Sequence, residues 1–149
     1  MPKFWLMKSE PDVFSFADLH RLGKTAWEGV RNYQARNLMR EQKVGDGVLF
    51  YHSNAKPSGI IGVARVVRES YPDTTQFDPK SEYFDAKATR DKPRWFMVDV
   101  AYEAPLPRLI SLAELHTVTG LKDMVLLHRP RLSVQPVTPN EWRLITKVL

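Results

Sequence analysis

The chain has 149 residues, 43% of them hydrophobic and 26% charged, a length and composition that fit one domain with a core of its own. It contains no cysteine. This excludes disulfides, thiolate metal sites and cysteine nucleophiles, and it fits a reducing compartment, so we expect a cytoplasmic protein. The net charge is +5, and the window from Arg21 to Arg65 carries all of it, with eight Lys and Arg against three Asp and Glu. Such a concentration favours a polyanion such as a phosphate backbone, although a solvated basic face has the same composition.

Hydrophobic periodicity predicts five elements in the first half of the chain. They are a strand at residues 3–8, a helix at 15–22, a helix at about 32–43, and strands at 48–52 and 60–68 joined by a polar loop at 54–59. Ser15 and Asp18 come close to a capping box for the first helix, and Gly23 is typical of its end. Gly62, inside the last strand, indicates a bulge or a close backbone approach.

The second half predicts an irregular segment followed by short elements. They are a loop at residues 70–94, a strand at 95–102 ended by Pro105 and Pro107, short helices at 111–114 and 121–127, a strand at 131–135 and a helix from 138. Aromatic residues in the loop argue against plain disorder, and a loop of this length is usually functional. Capping boxes are expected at Ser111 and Thr138, and we expect Trp142, Ile145 and Leu149 to close over the core. The fold class is therefore α+β, one domain over residues 1–149 around an antiparallel, barrel-like sheet whose strands are mostly joined by turns or loops rather than βαβ crossovers.

The chain shows no catalytic or metal motif. Its four histidines have no i,i+4 pair, and there is no phosphate-binding glycine loop or nucleophile elbow. His52 and Ser53 are adjacent on a strand and so face opposite sides. Glu10 and Glu28 are the carboxylates to inspect for acid–base chemistry. We expect no metal, no cofactor and no catalysis.

Polar and aromatic residues accompany the basic window. Residues 8–11 follow the first strand, residues 27–37 lead from a tryptophan into a helix N-terminus, and residues 51–54 end another strand. A helix N-terminus suits an anionic group such as phosphate. Trp27 and Trp95 offer faces for stacking, although a tryptophan is more often part of a core.

These segments, together with Pro93-Arg94-Trp95 and residues 131–134, resemble the EVE domain over nearly the whole chain, and the block at 27–37 is the most specific of them. The resemblance implies a PUA-like fold, a small curved antiparallel β-barrel flanked by helices. It also implies kinship with YTH domains, which hold a modified adenine in an aromatic cage. The expected function is a non-catalytic module that binds DNA or RNA and accepts one extruded, modified base.

By position, the resemblance makes Trp27 a cage wall and Trp95 a second wall, with Tyr83 or Tyr33 as a third. The predicted base pocket comprises Lys8, Ser9, Glu10, Trp27, Asn32, Tyr33, Gln34, Ser53, Asn54 and Trp95. The predicted phosphate-binding residues are Arg31, Arg36, Arg40 and Lys56.

Two other functions stay open. One is an enzyme that processes nucleotides or nucleic acid, and the other is a protein-interaction or small-molecule sensor module. No apolar stretch is long enough to span a bilayer, so we expect no membrane partner, and the absence of an apolar surface stripe favours a monomer. The sequence decides neither DNA against RNA nor the identity of the base.

Overall fold

The computed structural model describes residues 2–147 and shows a six-stranded sheet with five α-helices. The strands are β1 (Phe4–Ser9), β2 (Lys24–Ala26), β3 (Gly47–His52), β4 (Gly59–Pro72), β5 (Phe96–Ser111) and β6 (Val134–Val137). The helices are α1 (Phe16–Leu22), α2 (Tyr33–Arg40), α3 (Leu112–Leu115), α4 (Val125–His128) and α5 (Pro139–Thr146), and two 3₁₀ turns lie at Thr74–Phe77 and Thr119–Leu121. Among these residues no helix is both long and apolar enough to cross a membrane.

The strand order is β2-β5-β4-β3-β1-β6, which confirms the α+β class but corrects the sheet. Strands β1 and β3 run parallel, whereas every other neighbouring pair is antiparallel. The chain passes from β1 to β3 through α1, β2 and α2, so one crossover connection joins the parallel pair. Because β2 and β6 end the order of the described strands, the word barrel describes this curved sheet only approximately.

The central strands are buried on both faces. In β1, Leu6 belongs to one hydrophobic cluster and Met7 to another, and in β3 Leu49 and Phe50 divide in the same way. Side chains alternate along a strand, so each central strand contributes to a core on either side of the sheet. Helices α1 and α2 cover the cluster around Phe50, and α5 covers the other through Ile145.

Gly62 lies both at a bulge and at a close approach, the two features that the sequence predicted for it. The β3–β4 register shifts at Phe50/Tyr51, which face Gly62 and Ile60. A Cβ atom on Gly62 would lie 2.1 Å from Cζ of Phe16, so only glycine lets α1 pack this closely on the sheet.

The prediction that Pro105 and Pro107 end a strand is wrong. Strand β5 continues through both to Ser111, and its register against β4 shifts where Pro105 faces Gly62 and Ile110 faces Ile60. Strand β2, which the sequence did not predict, pairs only with Asp99–Ala101 on the other side. The prolines therefore lie where β5 has a single paired neighbour and an irregular register, and there a missing N–H costs little.

The C-terminal elements are shifted from their predicted bounds. The helix expected at 121–127 is a 3₁₀ turn followed by α4, and the strand expected at 131–135 is β6 at Val134–Val137. Ser111 caps α3, but the Glu114 carboxylate pairs with Arg108 instead of completing a capping box. Thr138 and Glu141 do form the predicted capping box, Trp142 stacks on Phe4, and Ile145 is buried. Leu149 lies outside the described residues.

Candidate functional site

An open cleft of about 490 Å³ lies where β1 ends and where β2 leads toward α2. It brings together Lys8, Ser9, Glu10 and Trp27 from the predicted pocket. After β1 the chain turns. The Glu10 carbonyl accepts from the N–H groups of Val13 and Phe14, and the Ser9 hydroxyl donates to the Phe14 carbonyl at 2.5 Å. This turn forms one rim of the cleft.

Trp27 is both a core residue and a wall of the cleft. Its N–H donates to the Val98 carbonyl at 2.8 Å, which continues the pairing of β2 with β5. Its ring packs edge-on against Phe50 at 5.4 Å between centroids, and only 8% of the residue is exposed. The small accessible part faces the cleft, so a planar ligand there would meet an indole held rigidly by the core.

The segment after Trp27 is held by the buried carboxylate of Asp73. This carboxylate accepts from the Gly29 N–H at 2.8 Å and pairs with the Arg31 guanidinium at 3.2 Å. Gly29 has a φ of 86°, and a Cβ atom there would lie 2.6 Å from the Tyr83 ring. The conformation and the close contact both require glycine, and they place Tyr83 beside the cleft.

Arg31 also donates to the Tyr83 carbonyl at 2.8 Å and to the Thr75 hydroxyl at 3.0 Å. The predicted phosphate-binding role of Arg31 therefore competes with a structural one, because its guanidinium already joins two segments of the chain.

The irregular segment at 70–94 is anchored by Gln76, which is fully buried. Its amide nitrogen donates to the carbonyls of Asp73 and Trp95, both at 2.7 Å, and its oxygen accepts from the N–H groups of Arg94 and Trp95, both at 2.9 Å. The Trp95 indole N–H donates to Asp85 at 2.8 Å. The segment thus packs as an ordered loop that delivers Tyr83 to the cleft.

Trp95 and Tyr33 lie outside the residues that line the cleft. They stack on each other at 4.7 Å between ring centroids, and the guanidinium of Arg36 lies 4.8 Å from the Tyr33 ring. The Arg31 guanidinium lies 5.4 Å from the Trp95 ring and 5.5 Å from the Tyr83 ring, so it separates the stack from the cleft. Of the aromatic residues proposed as further walls, Tyr83 is the one that lines the cleft.

Four polar residues of the predicted pocket, Asn32, Gln34, Ser53 and Asn54, lie outside the residues that line the cleft, and the side chains of the three amides have other partners. Asn32 caps α2 by accepting from the Ala35 N–H, and Gln34 accepts from Arg129. The Ser53 N–H donates to the Ser9 carbonyl. Asn54 donates to the Glu10 carboxylate and so supports the cleft through that residue.

The remaining predicted phosphate-binding residues differ in whether their side chains already bond within the protein. Arg36 donates to the Arg94 carbonyl at 2.8 Å and to Asn37. Arg40 is exposed and lies 4.2 Å above the Phe96 ring, and Lys56 is exposed in the loop between β3 and β4. Arg40 and Lys56 are therefore better placed than Arg31 to meet a phosphate from solution.

The cleft is lined by two cations, Lys8 and Arg31, and by two carboxylates, Glu10 and Glu28. Burial lowers the pKa of Lys8, whose ammonium donates to the Pro130 carbonyl at 2.5 Å. Partial burial, and then the nearby Asp73 carboxylate, raise the pKa of Glu28. Glu10 also lines the cleft, so both carboxylates considered for acid–base chemistry share one site. Sequence reasoning did not assign Glu28 to the pocket, although the glutamate directly follows Trp27 in the most specific block.

His52 makes a structural hydrogen bond, and the described residues hold no metal-binding cluster. The ring nitrogen Nε2 of His52 accepts from the Phe16 N–H at 3.1 Å, and burial lowers the pKa of this imidazole, as suits a neutral acceptor at the start of α1. Within residues 2–147 no cluster of three or more histidine, aspartate or glutamate side chains is arranged to hold a metal ion.

Comparison with known proteins identifies relatives over almost the whole chain. A family model described as "EVE domain" matches residues 3–148. Thymocyte nuclear protein 1 of Danio rerio is 48% identical over 160 residues, which cover 95% of this chain and 69% of that protein. A hypothetical protein from Leishmania major is 49% identical with a TM-score of 0.96, covering 99% of this chain and 94% of that one. Human THYN1 protein, solved in complex with 5-methylcytosine-containing DNA, is 44% identical with a TM-score of 0.92, covering 97% and 96% of the two chains.

Proposed function

Because the chain belongs to the EVE domain family, we propose that it is a DNA-binding module that accepts one extruded, modified base in the cleft beside Trp27. The human relative solved with 5-methylcytosine-containing DNA supports the choice of DNA and of a methylated base. The single observation that carries the proposal is the cleft itself, in which Lys8, Ser9, Glu10 and a rigid tryptophan meet.

The energetics of base extrusion fit this arrangement. Extrusion costs a few kcal/mol, and stacking on an aromatic side chain returns about 1–3 kcal/mol per base. Trp27 is already immobilised by Phe50 and by its bond to Val98, so little further ordering is required when a base arrives. Val30 and Phe14 add apolar surface to the cleft, where a methyl group on the base is sheltered from water.

The phosphate backbone is held in this proposal by the exposed cations outside the cleft, with Arg40 and Lys56 as the principal contacts. We expect Arg40→Ala to weaken binding to all DNA sequences alike and to reduce the slope of log K against log salt by roughly 0.7–0.9. Fluorescence anisotropy at a series of salt concentrations measures this slope. Arg143→Ala, at an exposed arginine on α5, is the matched control and leaves the slope unchanged. Equal slopes for the wild type and Arg40→Ala would remove Arg40 from the DNA contact.

The test of the base pocket compares two tryptophans that each pack on a phenylalanine. We expect Trp27→Leu to lower affinity for single-stranded DNA with one 5-methylcytosine by about 1–3 kcal/mol, roughly five- to 150-fold in Kd. Trp142→Leu, which removes the partner of Phe4 instead, leaves this affinity unchanged. Thermal unfolding of both variants checks that each is folded at the temperature of the binding assay.

Plain cytosine, 5-methylcytosine and 5-hydroxymethylcytosine oligonucleotides, each as DNA and as RNA, complete the experiment. A preference for one modified base that disappears in Trp27→Leu supports the proposal. Binding that is indifferent both to modification and to Trp27 contradicts it and leaves only a basic surface. Tighter binding to the RNA series would overturn the choice of DNA.

The two carboxylates in the cleft favour one second candidate, an enzyme acting on the extruded base. Acid–base catalysis requires a carboxyl group with a raised pKa near a reacting atom, and Glu28 has this property. Mass spectrometry of the same oligonucleotides after prolonged incubation tests this candidate. An altered or released base would establish catalysis, whereas intact oligonucleotides would exclude it for these substrates.

A further inference from the structure

Glu28 is an unusual residue for a site that receives a polyanion. Its carboxylate lines the cleft, and among the described residues it takes part in no hydrogen bond or ion pair. The nearest cation, Arg31, is directed to Asp73, Thr75 and the Tyr83 carbonyl instead. A free carboxylate repels phosphate, so its place here calls for a ligand group that donates a hydrogen bond.

The backbone on both sides of Glu28 is held in place, while the residue itself is exposed. Trp27 before it is bonded to Val98, and Gly29 after it is bonded to Asp73 in a conformation that requires glycine. The side chain therefore projects from a rigid segment directly beside the wall on which the proposed base stacks. The backbone therefore needs little further ordering when a base arrives, whereas the exposed side chain must still adopt one rotamer to read a hydrogen-bonding edge.

We infer that Glu28 determines base specificity by accepting a hydrogen bond from the 4-amino group of an extruded cytosine or 5-methylcytosine. This inference rests on the proposed function and names the group that reads the base. Acidic side chains are the usual partners of the cytosine N4 amino group, because that group is a donor. The carboxylate has no complementary contact with the 4-carbonyl oxygen of thymine, which is an acceptor.

Discrimination by Glu28 depends on the charge of its carboxyl group. The ionised carboxylate only accepts hydrogen bonds, so it suits the 4-amino group of cytosine and not the 4-carbonyl oxygen of thymine. A neutral carboxyl group or a glutamine amide donates as well as accepts and can turn over to suit the edge of either base, so neither reproduces the discrimination. Because partial burial and the Asp73 carboxylate raise the pKa of Glu28, the preference is expected to weaken as the pH falls.

The discriminating probes are single-stranded DNA oligonucleotides that carry either one 5-methylcytosine or one thymine at the same position. The two bases share the ring and the C5 methyl group and differ at position 4 and at the protonation of N3. Any difference in affinity therefore reports the reading of that edge and not the fit of the methyl group. A site that hydrogen-bonds one analogue rejects the other because its own polar group is left unpaired.

We expect the wild type to bind the 5-methylcytosine probe on the order of tenfold or more tightly than the thymine probe. Glu28→Ala reduces this ratio to within about twofold, because the group that distinguishes the two edges has gone. Glu28→Gln also loses the preference, because its amide can hydrogen-bond the edge of either base. The ratio of the two affinities is measured, and not either affinity alone, because removal of a negative charge strengthens the binding of both probes. Asp123→Ala, at an exposed carboxylate outside the residues that line the cleft, is the matched control and preserves the ratio.

Three outcomes would overturn the inference in distinguishable ways. A wild type that prefers 5-methylcytosine while Glu28→Ala keeps the full preference would remove Glu28 from recognition and leave the proposed function standing. A wild type that binds both probes equally would contradict base reading itself, and the inference would fall with it. Loss of the preference in Glu10→Ala alone would assign the role to Glu10.

Discussion

Replacement of Asp73 by alanine is expected to destabilise the protein by about 3–5 kcal/mol, because it leaves the Arg31 guanidinium without its buried partner. The substitution also removes the acceptor of the Gly29 N–H and of the Thr75 N–H and hydroxyl. These contacts join the loop at 73–95 to the segment that follows Trp27. Urea unfolding monitored by tryptophan fluorescence measures the loss.

Asp78→Ala is the matched control for Asp73→Ala. Asp78 is an exposed aspartate at the other end of the same 3₁₀ turn, where it accepts from the Lys80 N–H alone. Its replacement is expected to change the free energy of unfolding by at most about 1 kcal/mol. Equal effects of the two substitutions would show that the Asp73 contacts contribute no more than an ordinary surface cap.

The same carboxylate predicts the pH dependence of stability. Burial by itself raises the pKa of Asp73, but hydrogen bonds from Thr75, Gly29 and Arg31 outweigh burial and hold the pKa below its ordinary value of 3.8. A lowered pKa in the folded state adds stability that is fully present above the unfolded value and disappears as the pH falls through the folded one. The wild type should therefore lose part of its stability in this acidic range, and Asp73→Ala should lose less.

Predictions from the sequence were accurate where the determining interaction lies within a few residues and inaccurate where it joins distant parts of the chain. Ser15 and Thr138 cap their helices as predicted because a capping box is complete within four residues. Glu114 departed from the same pattern because Arg108, on the adjoining strand, competes for its carboxylate. The path of β5 through Pro105 was missed because the tolerance for proline depends on which neighbours a strand lacks, and these are set by the fold.

The residues of the predicted pocket divide by the same criterion, the sequence distance of the contacts that place them. Lys8, Ser9, Glu10 and Trp27 line one cleft, and each stands at a strand end next to a distinctive motif, which is why the sequence could group them. The role of Arg31 was not foreseen because its partner Asp73 is 42 residues away and lies at the start of an irregular loop. Trp95 was expected in the cleft, but its indole N–H is satisfied by Asp85 and its face by Tyr33. Local patterns selected the candidate residues, and long-range polar contacts determine which of them line the cleft.

Two buried glutamines give the second large prediction. Gln76 and Gln42 are both fully inaccessible, but Gln76 makes four hydrogen bonds of 2.7–2.9 Å. Gln42 makes only a 3.8 Å contact with the Met7 sulfur, and its carbonyl oxygen has no partner among the described residues. Each buried backbone group that loses its partner costs about 1–3 kcal/mol, so Gln76→Leu is expected to lower stability by several kcal/mol. Gln42→Leu should change it by no more than about 1 kcal/mol in either direction, because it removes an unpaired polar atom while it keeps most of the volume.

Thermal unfolding separates the two substitutions, with an expected decrease in Tm of roughly 10 °C or more for Gln76→Leu and little change for Gln42→Leu. The comparison also tests DNA binding. Gln76 hydrogen-bonds to the backbone of Trp95 and so fixes the loop that places Tyr83 beside the cleft. If Tyr83 acts as a wall for the base, Gln76→Leu should weaken DNA binding at temperatures where the rest of the fold is intact, whereas Gln42→Leu should not. Similar Tm values for the two variants would mean that the loop is held by its aromatic packing and the Asp73 contacts without help from Gln76.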